Sequence, residues 1–120
     1  MNPQRGQIYF LPFGEGKRRP VVIVSRDSLN AGDSILIVPF TSQKLPERRQ
    51  QAQCVFFEAG KYGLSEDCVA KTDEITRIPK SAIDWSRGVI GRLPNEEMLR
   101  IVRAVRYVMR DDDLMHPSQP

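Results

Sequence analysis

Two uninterrupted apolar runs, Val21-Val22-Ile23-Val24 and Ile35-Leu36-Ile37-Val38, constrain this fold most. Both are strand length, and all but Leu36 of their residues are β-branched. Such side chains are stiff at χ1 and sit well on a pleated surface. Neither run alternates with polar residues, the pattern of a strand buried on both faces. Neither approaches the roughly 20 apolar residues that span a bilayer.

Turn signals divide the rest into short pieces. Gln7 to Leu11 is a β-type run, and Pro12-Phe13-Gly14-Glu15-Gly16-Lys17-Arg18-Arg19-Pro20 must loop because of its prolines and glycines. A polar connection, Arg26 to Ser34, follows the first apolar run. Pro39, near the end of the second, marks an edge or a bulge. Lys44 to Gln51 reads as a solvated loop, Gln53 to Phe57 as a strand and Asp67 to Lys71 as another. Thr72 to Arg77 extends the sheet, Ile78 to Ile83 makes a helical turn, and Arg87 to Leu93 is a last short strand. Many short strands with frequent turns indicate a small barrel.

The C-terminal region switches period. Met98, Ile101, Val102, Val105, Val108 and Met109 recur at intervals of three and four, a helix stripe. Asn95 or Pro94 is its cap, and Glu96 and Glu97 suit the positive end of the dipole. Arg100, Arg103, Arg106 and Arg110 fall on the other face, either solvated or contacting phosphate. Residues 1–110 are expected to form one domain and 111–120, opening with three aspartates, a frayed acidic tail.

The 120-residue chain carries a net charge of +3, unevenly spread. Residues 1–50 hold eight basic against four acidic side chains, and residues 51–120 ten against eleven. A basic half moves the reading modestly toward a polyanion partner. Cys54 and Cys68 make no CxxC and the one histidine, His116, is in the tail, so no zinc-type ligand set is evident and the thiols are expected reduced. No cofactor is expected. The N-terminus lacks the charged-then-apolar layout of a signal peptide, which points to the cytoplasm and away from membranes.

Four ordered segments carry a resemblance: Arg5-Gly6-Gln7-Ile8-Tyr9, Arg18-Arg19-Pro20-Val21-Val22-Ile23-Val24-Ser25, Ile37-Val38-Pro39-Phe40-Thr41-Ser42, and Gly91-Arg92-Leu93 before the helix. Gly63 to Val69 and Asp73-Glu74-Ile75 fall between them in register. Over residues 5–109 the chain resembles the MazF/PemK toxins of type II toxin–antitoxin systems. The resemblance implies a mainly β, SH3-like barrel with a C-terminal helix, of the CcdB/MazF type. It also implies a homodimer, metal-independent and sequence-selective cleavage of single-stranded RNA, and a cognate antitoxin whose C-terminal segment blocks the site. The family's catalytic arginine falls on Arg19 and its catalytic threonine on Thr41. Two departures stand out. The Pro12–Lys17 loop, which in the family helps cover RNA, looks short, and Glu74 stands where many members carry Gln; both bear on the sequence cut.

The residues suit that chemistry. RNA carries its own nucleophile, the 2′-OH, so an enzyme need only position it, stabilise phosphoryl charge and help the 5′-oxygen leave. Arg19 offers a permanently charged fork for phosphate. Thr41 can donate to a phosphate oxygen or orient the 2′-OH. Arginine is a poor proton acceptor, which leaves Glu15, Glu74 or water as the base. Lys17 and Arg18 suit flanking phosphates, and Ser42 adjoins Thr41. Phe13 and Tyr9 have rings that could stack on bases, although Tyr9, like Trp85, reads better as packing. The alternatives are a CcdB-like toxin that binds DNA gyrase without nuclease chemistry, and a non-catalytic nucleic-acid-binding barrel using the helix arginines.

Overall fold

A computed structural model describes residues 2–115. The strands are β1 (Gln7–Pro12), β2 (Arg18–Ile23), β3 (Ser34–Thr41), β4 (Cys54–Phe57), β5 (Cys68–Lys71), β6 (Thr76–Pro79) and β7 (Gly91–Arg92). The helices are α1 (Leu45–Arg48), α2 (Asn95–Met109) and α3 (Asp111–Met115), with 3-10 turns at Thr72–Glu74 and Lys80–Ala82. The strands run antiparallel in the order β4-β5-β3-β2-β1-β7, and β6 also pairs with β3. The architecture is mainly β with a C-terminal helix, as the turn spacing and late helical period indicate.

The two apolar runs lie at the centre of this sheet, and both of its faces are covered there except at Leu36, which is exposed opposite Arg77. Ile8, Val22 and Val38 are cross-strand partners on one face, where Phe40, Phe57, Leu64 and Ile101 complete a core. Tyr9, Val21, Ile23 and Ile37 point the other way and pack with Ile35 and Ile83. This two-sided burial is why neither run alternates. Each fully buried aliphatic side chain contributes about 1.5–3 kcal/mol. The one fully buried polar residue in the β2–β3 connection, Asn30, donates to the Ser25 carbonyl at 3.0 Å, so its burial leaves no amide group unpaired.

Pro39 marks a change of partner. Along one side of β3, β6 pairs with Ser34–Ile37 and β5 takes over at Phe40 and Thr41. Val38 and Pro39 lie in the gap, while β2 stays paired to both on the other side. A residue without an N–H is tolerated where no neighbour claims one. The change of partner lets one strand run through two parts of a curled sheet.

Several local expectations are corrected. The loop expected over Pro12 to Pro20 is confined to residues 13–17, because Pro12 pairs with Arg18 and both Arg19 and Pro20 are also paired to β1. Lys44–Gln51 contains α1, which starts after a left-handed Lys44 with a proline in its first turn and is too short to display a helical period. Thr72–Arg77 enters a 3-10 turn before β6 begins. Of the 87–93 segment only Gly91–Arg92 is strand, flanked by Ile90 and Leu93 N–H groups that donate to the Ile8 and Gly6 carbonyls. In α2 the residues turned inward are Met98, Ile101, Ala104 and, partly, Val105; Val102, Val108 and Met109 are exposed. From Arg106 onward every described α2 side chain is exposed. Pro94 is the cap residue of α2. Within the segment expected to fray, Asp111–Met115 form α3, and His116 with the rest of the tail lies outside the described residues.

Candidate active site

The β2–β3 pairing brings the start of one strand to the end of the other. Val21 sits opposite Pro39 at the end of the paired stretch, and Arg19 and Thr41 each lie two residues beyond it. Both side chains line an open cleft of about 210 Å³. Phe13, Arg18 and Ser42 line it too, as do Gln43, Ser65 and Glu66. Glu15 and Lys17 belong to the β1–β2 hairpin loop, closed by Phe13 N–H donating to Lys17 O at 3.0 Å, and neither lines the cleft. Glu74 stands at its margin, in contact with Arg19.

Arg19 is held on two sides. Its Nη1 lies 3.9 Å from Glu74 Oε1, and its guanidinium carbon sits 4.6 Å from the centre of the Phe13 ring. Glu74 Oε2 also takes Lys71 Nζ. Arg18 Nε pairs with Asp84 Oδ2 at 2.7 Å. A hydrogen bond from Ser86, and then the Arg18 cation, hold the Asp84 carboxyl below its ordinary range, so it stays a counter-ion for Arg18. The cleft therefore presents two guanidinium groups, one anchored through its Nε and one loosely held, beside the hydroxyls of Thr41 and Ser42.

Thr41 is half-buried, and its Oγ1 accepts from Gln43 N–H at 3.2 Å and from Arg48 Nη1 at 3.4 Å. Arg48 is not among the residues that the sequence singles out. It projects from α1, and a four-residue helix leaves no periodic signal to reveal it. Nor does the sequence point to the Ser65–Glu66 wall. It follows the left-handed Tyr62-Gly63 pair, which sets the turn against β7. Cys68 lines the cleft but is chemically quiet. Burial, followed by the nearby Asp67 and Glu66 charges, pushes its thiol up to about 12.

The aromatic candidates separate. Tyr9 is buried and meets Trp85 edge to face at 5.2 Å, while Phe13 is exposed at the cleft mouth. Trp85 donates through Nε1 to the Lys80 carbonyl at 2.9 Å. On α2, Arg100 is tied down by Glu97 at 3.0 Å and by the Phe56 carbonyl at 3.2 Å. Among the described residues no three His, Cys, Asp or Glu side chains group to hold a metal, and no helix is long and apolar enough to cross a membrane.

Comparison with known proteins identifies the family and the fold. Residues 4–109 match the family of PemK-like, MazF-like toxins of type II toxin–antitoxin systems. A probable endoribonuclease MazF of Mycolicibacterium smegmatis is 31% identical over 90 residues, covering 75% of this chain and 78% of that protein. Among solved structures, a mycobacterial endoribonuclease in complex with its cognate antitoxin superposes with a TM-score of 0.72 at 23% identity, covering 98% of this chain and 99% of that one. A chain from a MazE–MazF crystal of Deinococcus radiodurans gives 0.71 at 17% identity, over 91% and 96%. These structures have the CcdB/MazF fold, and the curled sheet with its C-terminal helix is the same fold. The chain belongs to the PemK-like, MazF-like toxin family of type II toxin–antitoxin systems.

Proposed function

We propose that this protein cuts single-stranded RNA at selected sequences, without a metal ion, by in-line attack of the 2′-OH on the adjacent phosphate. The observation that carries the reading is that Arg19 and Thr41 line one cleft at the joined ends of β2 and β3. A phosphodiester there meets a guanidinium fork that pairs with two phosphoryl oxygens, and a hydroxyl within the same wall. Arg18, Ser42 and, from the hairpin loop, Lys17 act on neighbouring phosphates, which sets affinity more than sequence choice. The exposed ring of Phe13 offers a stacking face to an unpaired base. Glu15 sits at the hairpin tip, too far out on the loop to belong to the cleft wall, so its part is with flanking RNA.

The same reading extends to partners. Leu99, Val102, Tyr107, Val108 and Met109 leave apolar surface on α2 that a second copy would cover, which supports a homodimer. An antitoxin segment carrying carboxylates would compete with RNA for Arg18 and Arg19. Such a protein works in the cytoplasm, where its messenger RNA substrate is, and residues 111–120 lie outside the RNA-cutting domain.

The test is cleavage of a single-stranded RNA in excess EDTA, with product ends identified. The expected products carry a 2′,3′-cyclic phosphate and a 5′-OH, and Arg19→Ala and Thr41→Ala each abolish them. Binding of RNA without cutting, or growth arrest with capture of DNA gyrase and no RNA products, would replace this reading by a binding module or a gyrase poison. Mapping the new 5′ ends identifies the sequence cut.

A further inference from the structure

Thr41 has an arrangement that specifies how its hydroxyl is used. A hydroxyl has one proton to donate and two lone pairs that accept. The Gln43 N–H donates to Oγ1 at 3.2 Å, and Arg48 Nη1 donates to it at 3.4 Å. Both lone pairs are therefore directed at donors within the protein. The remaining tetrahedral position on the oxygen carries the O–H, which must point away from both donors. Thr41 lines the cleft, so a ligand there is within reach of that O–H.

Arg48 is itself held in place. The same Nη1 donates to the Gln43 carbonyl at 2.9 Å, the shorter of its two contacts. Gln43 thus engages the pair from both ends: its N–H meets Thr41 and its carbonyl meets Arg48. The guanidinium is half-buried between α1 and the end of β3, and it does not line the cleft. A fixed cation beside Oγ1 draws electron density from the O–H bond and makes it a stronger donor.

We propose that Arg48 is a positioning residue that restricts Thr41 to donating a hydrogen bond to a non-bridging oxygen of the scissile phosphate. Orienting the 2′-OH by accepting its proton is then not available to Thr41. The inference rests on the RNA-cleaving reading of the same cleft, and it adds a residue and a direction to it. No proton changes owner in this contact; the attacking 2′-OH loses its proton elsewhere.

The experiment uses the full-length protein and an RNA with a single scissile linkage. That linkage is either a natural phosphate or one of the two phosphorothioate diastereomers. Sulfur accepts hydrogen bonds weakly, so the diastereomer with sulfur facing Thr41 is cut slowly by the wild type. Thr41→Ser, which keeps the hydroxyl, retains that discrimination. Arg48→Met keeps the apolar stem and removes the donors. It is expected to lower kcat by about 10- to 100-fold at nearly constant KM, and to shrink the discrimination against the same diastereomer. Arg48→Lys restores part of both. Loss confined to KM and relieved by low salt would overturn the proposal, making Arg48 a plain phosphate contact. So would an Arg48→Met enzyme with wild-type kcat and wild-type sulfur discrimination. If Arg48→Met does not fold, Arg48→Gln carries the same readings. A wild-type protein that cuts no RNA defeats the underlying reading and is told apart from these results by its own inactivity.

Discussion

The Arg19 guanidinium lies 3.9 Å from the Glu74 carboxylate, whose other oxygen is taken by Lys71. The 3-10 turn Thr72–Glu74 delivers this carboxylate to the margin of the cleft. Both of its oxygens face cations, so it orients Arg19 and balances charge. An exposed pair at this distance contributes only about 0.2–1 kcal/mol. Glu74→Gln is therefore expected to leave the melting temperature almost unchanged and to lower kcat/KM about 3- to 10-fold, since small misplacements of a charge clamp reduce rate. The acidic limb of the pH–rate profile should survive the substitution. Its disappearance in Glu74→Gln would instead make this residue the general base.

Phe13 holds the other side of the same guanidinium. The ring is at the cleft mouth, with the Arg19 charge 4.6 Å from its centre. A cation over a ring at an exposed site contributes about 0.5–1 kcal/mol. Phe13→Ala frees Arg19 and removes a stacking face, and is expected to reduce kcat/KM at least about fivefold, on the scale of one stacked base. Phe13→Trp should retain activity. Equal rates for the alanine and tryptophan variants would show that the ring has no part in the cleft.

The central strands are legible because their signal is composition over a contiguous run. Val21–Val24 and Ile35–Val38 have no polar residue to give water a face, and all of them but the half-buried Val24 and the exposed Leu36 are buried. Arg19 and Thr41 are reachable through family resemblance, and the β2–β3 pairing explains why both line one cleft. Arg48 is not legible. Its contacts arise from a four-residue helix, from a backbone carbonyl and from the end of a strand, none of which a periodic pattern encodes. The overextended stripe on α2 has a similar cause. Periodicity identifies an apolar helix face but not how far along it the sheet reaches. That is why the stripe takes in Val108 and Met109, which lie exposed, and omits the small Ala104, which is buried.

Cys68 makes stability depend on alkaline pH. Its thiol is pushed from an ordinary value of 9.0 up to about 12, with burial the main cause. The unfolded chain ionises this thiol first, so its contribution is whole below pH 9 and is lost progressively as pH rises from 9 toward 12. Cys68→Ala should flatten the fall of the melting temperature over that interval. The folded protein should also resist iodoacetamide at Cys68 at about pH 8, because the thiolate is the reactive form. Rapid alkylation of that residue in the native state would contradict the buried placement.

The Ser65–Glu66 wall depends on a close approach of two backbones. Gly63 has φ +82°, and a Cβ built on it would stand 1.8 Å from the Ile90 carbonyl oxygen. The contact is reciprocal: a Cβ on Gly91 would stand 1.7 Å from the Tyr62 carbonyl oxygen. Backbone cannot give way as a side-chain tip can, so Gly63→Ala must open the turn from β7. Left-handed strain of about 1–2 kcal/mol adds to overpacking of about 1–3 kcal/mol, for a total of about 2–5 kcal/mol. A melting-temperature drop of roughly 6–30 °C follows for a domain of this size. Gly60 supplies the control. It shares the positive φ, at +88°, but a Cβ there would meet nothing within 4 Å, so Gly60→Ala bears the strain alone. The difference between the two variants measures the close approach itself. Equal destabilisation of Gly60→Ala and Gly63→Ala in thermal melts would mean that β7 does not hold this wall of the cleft in place.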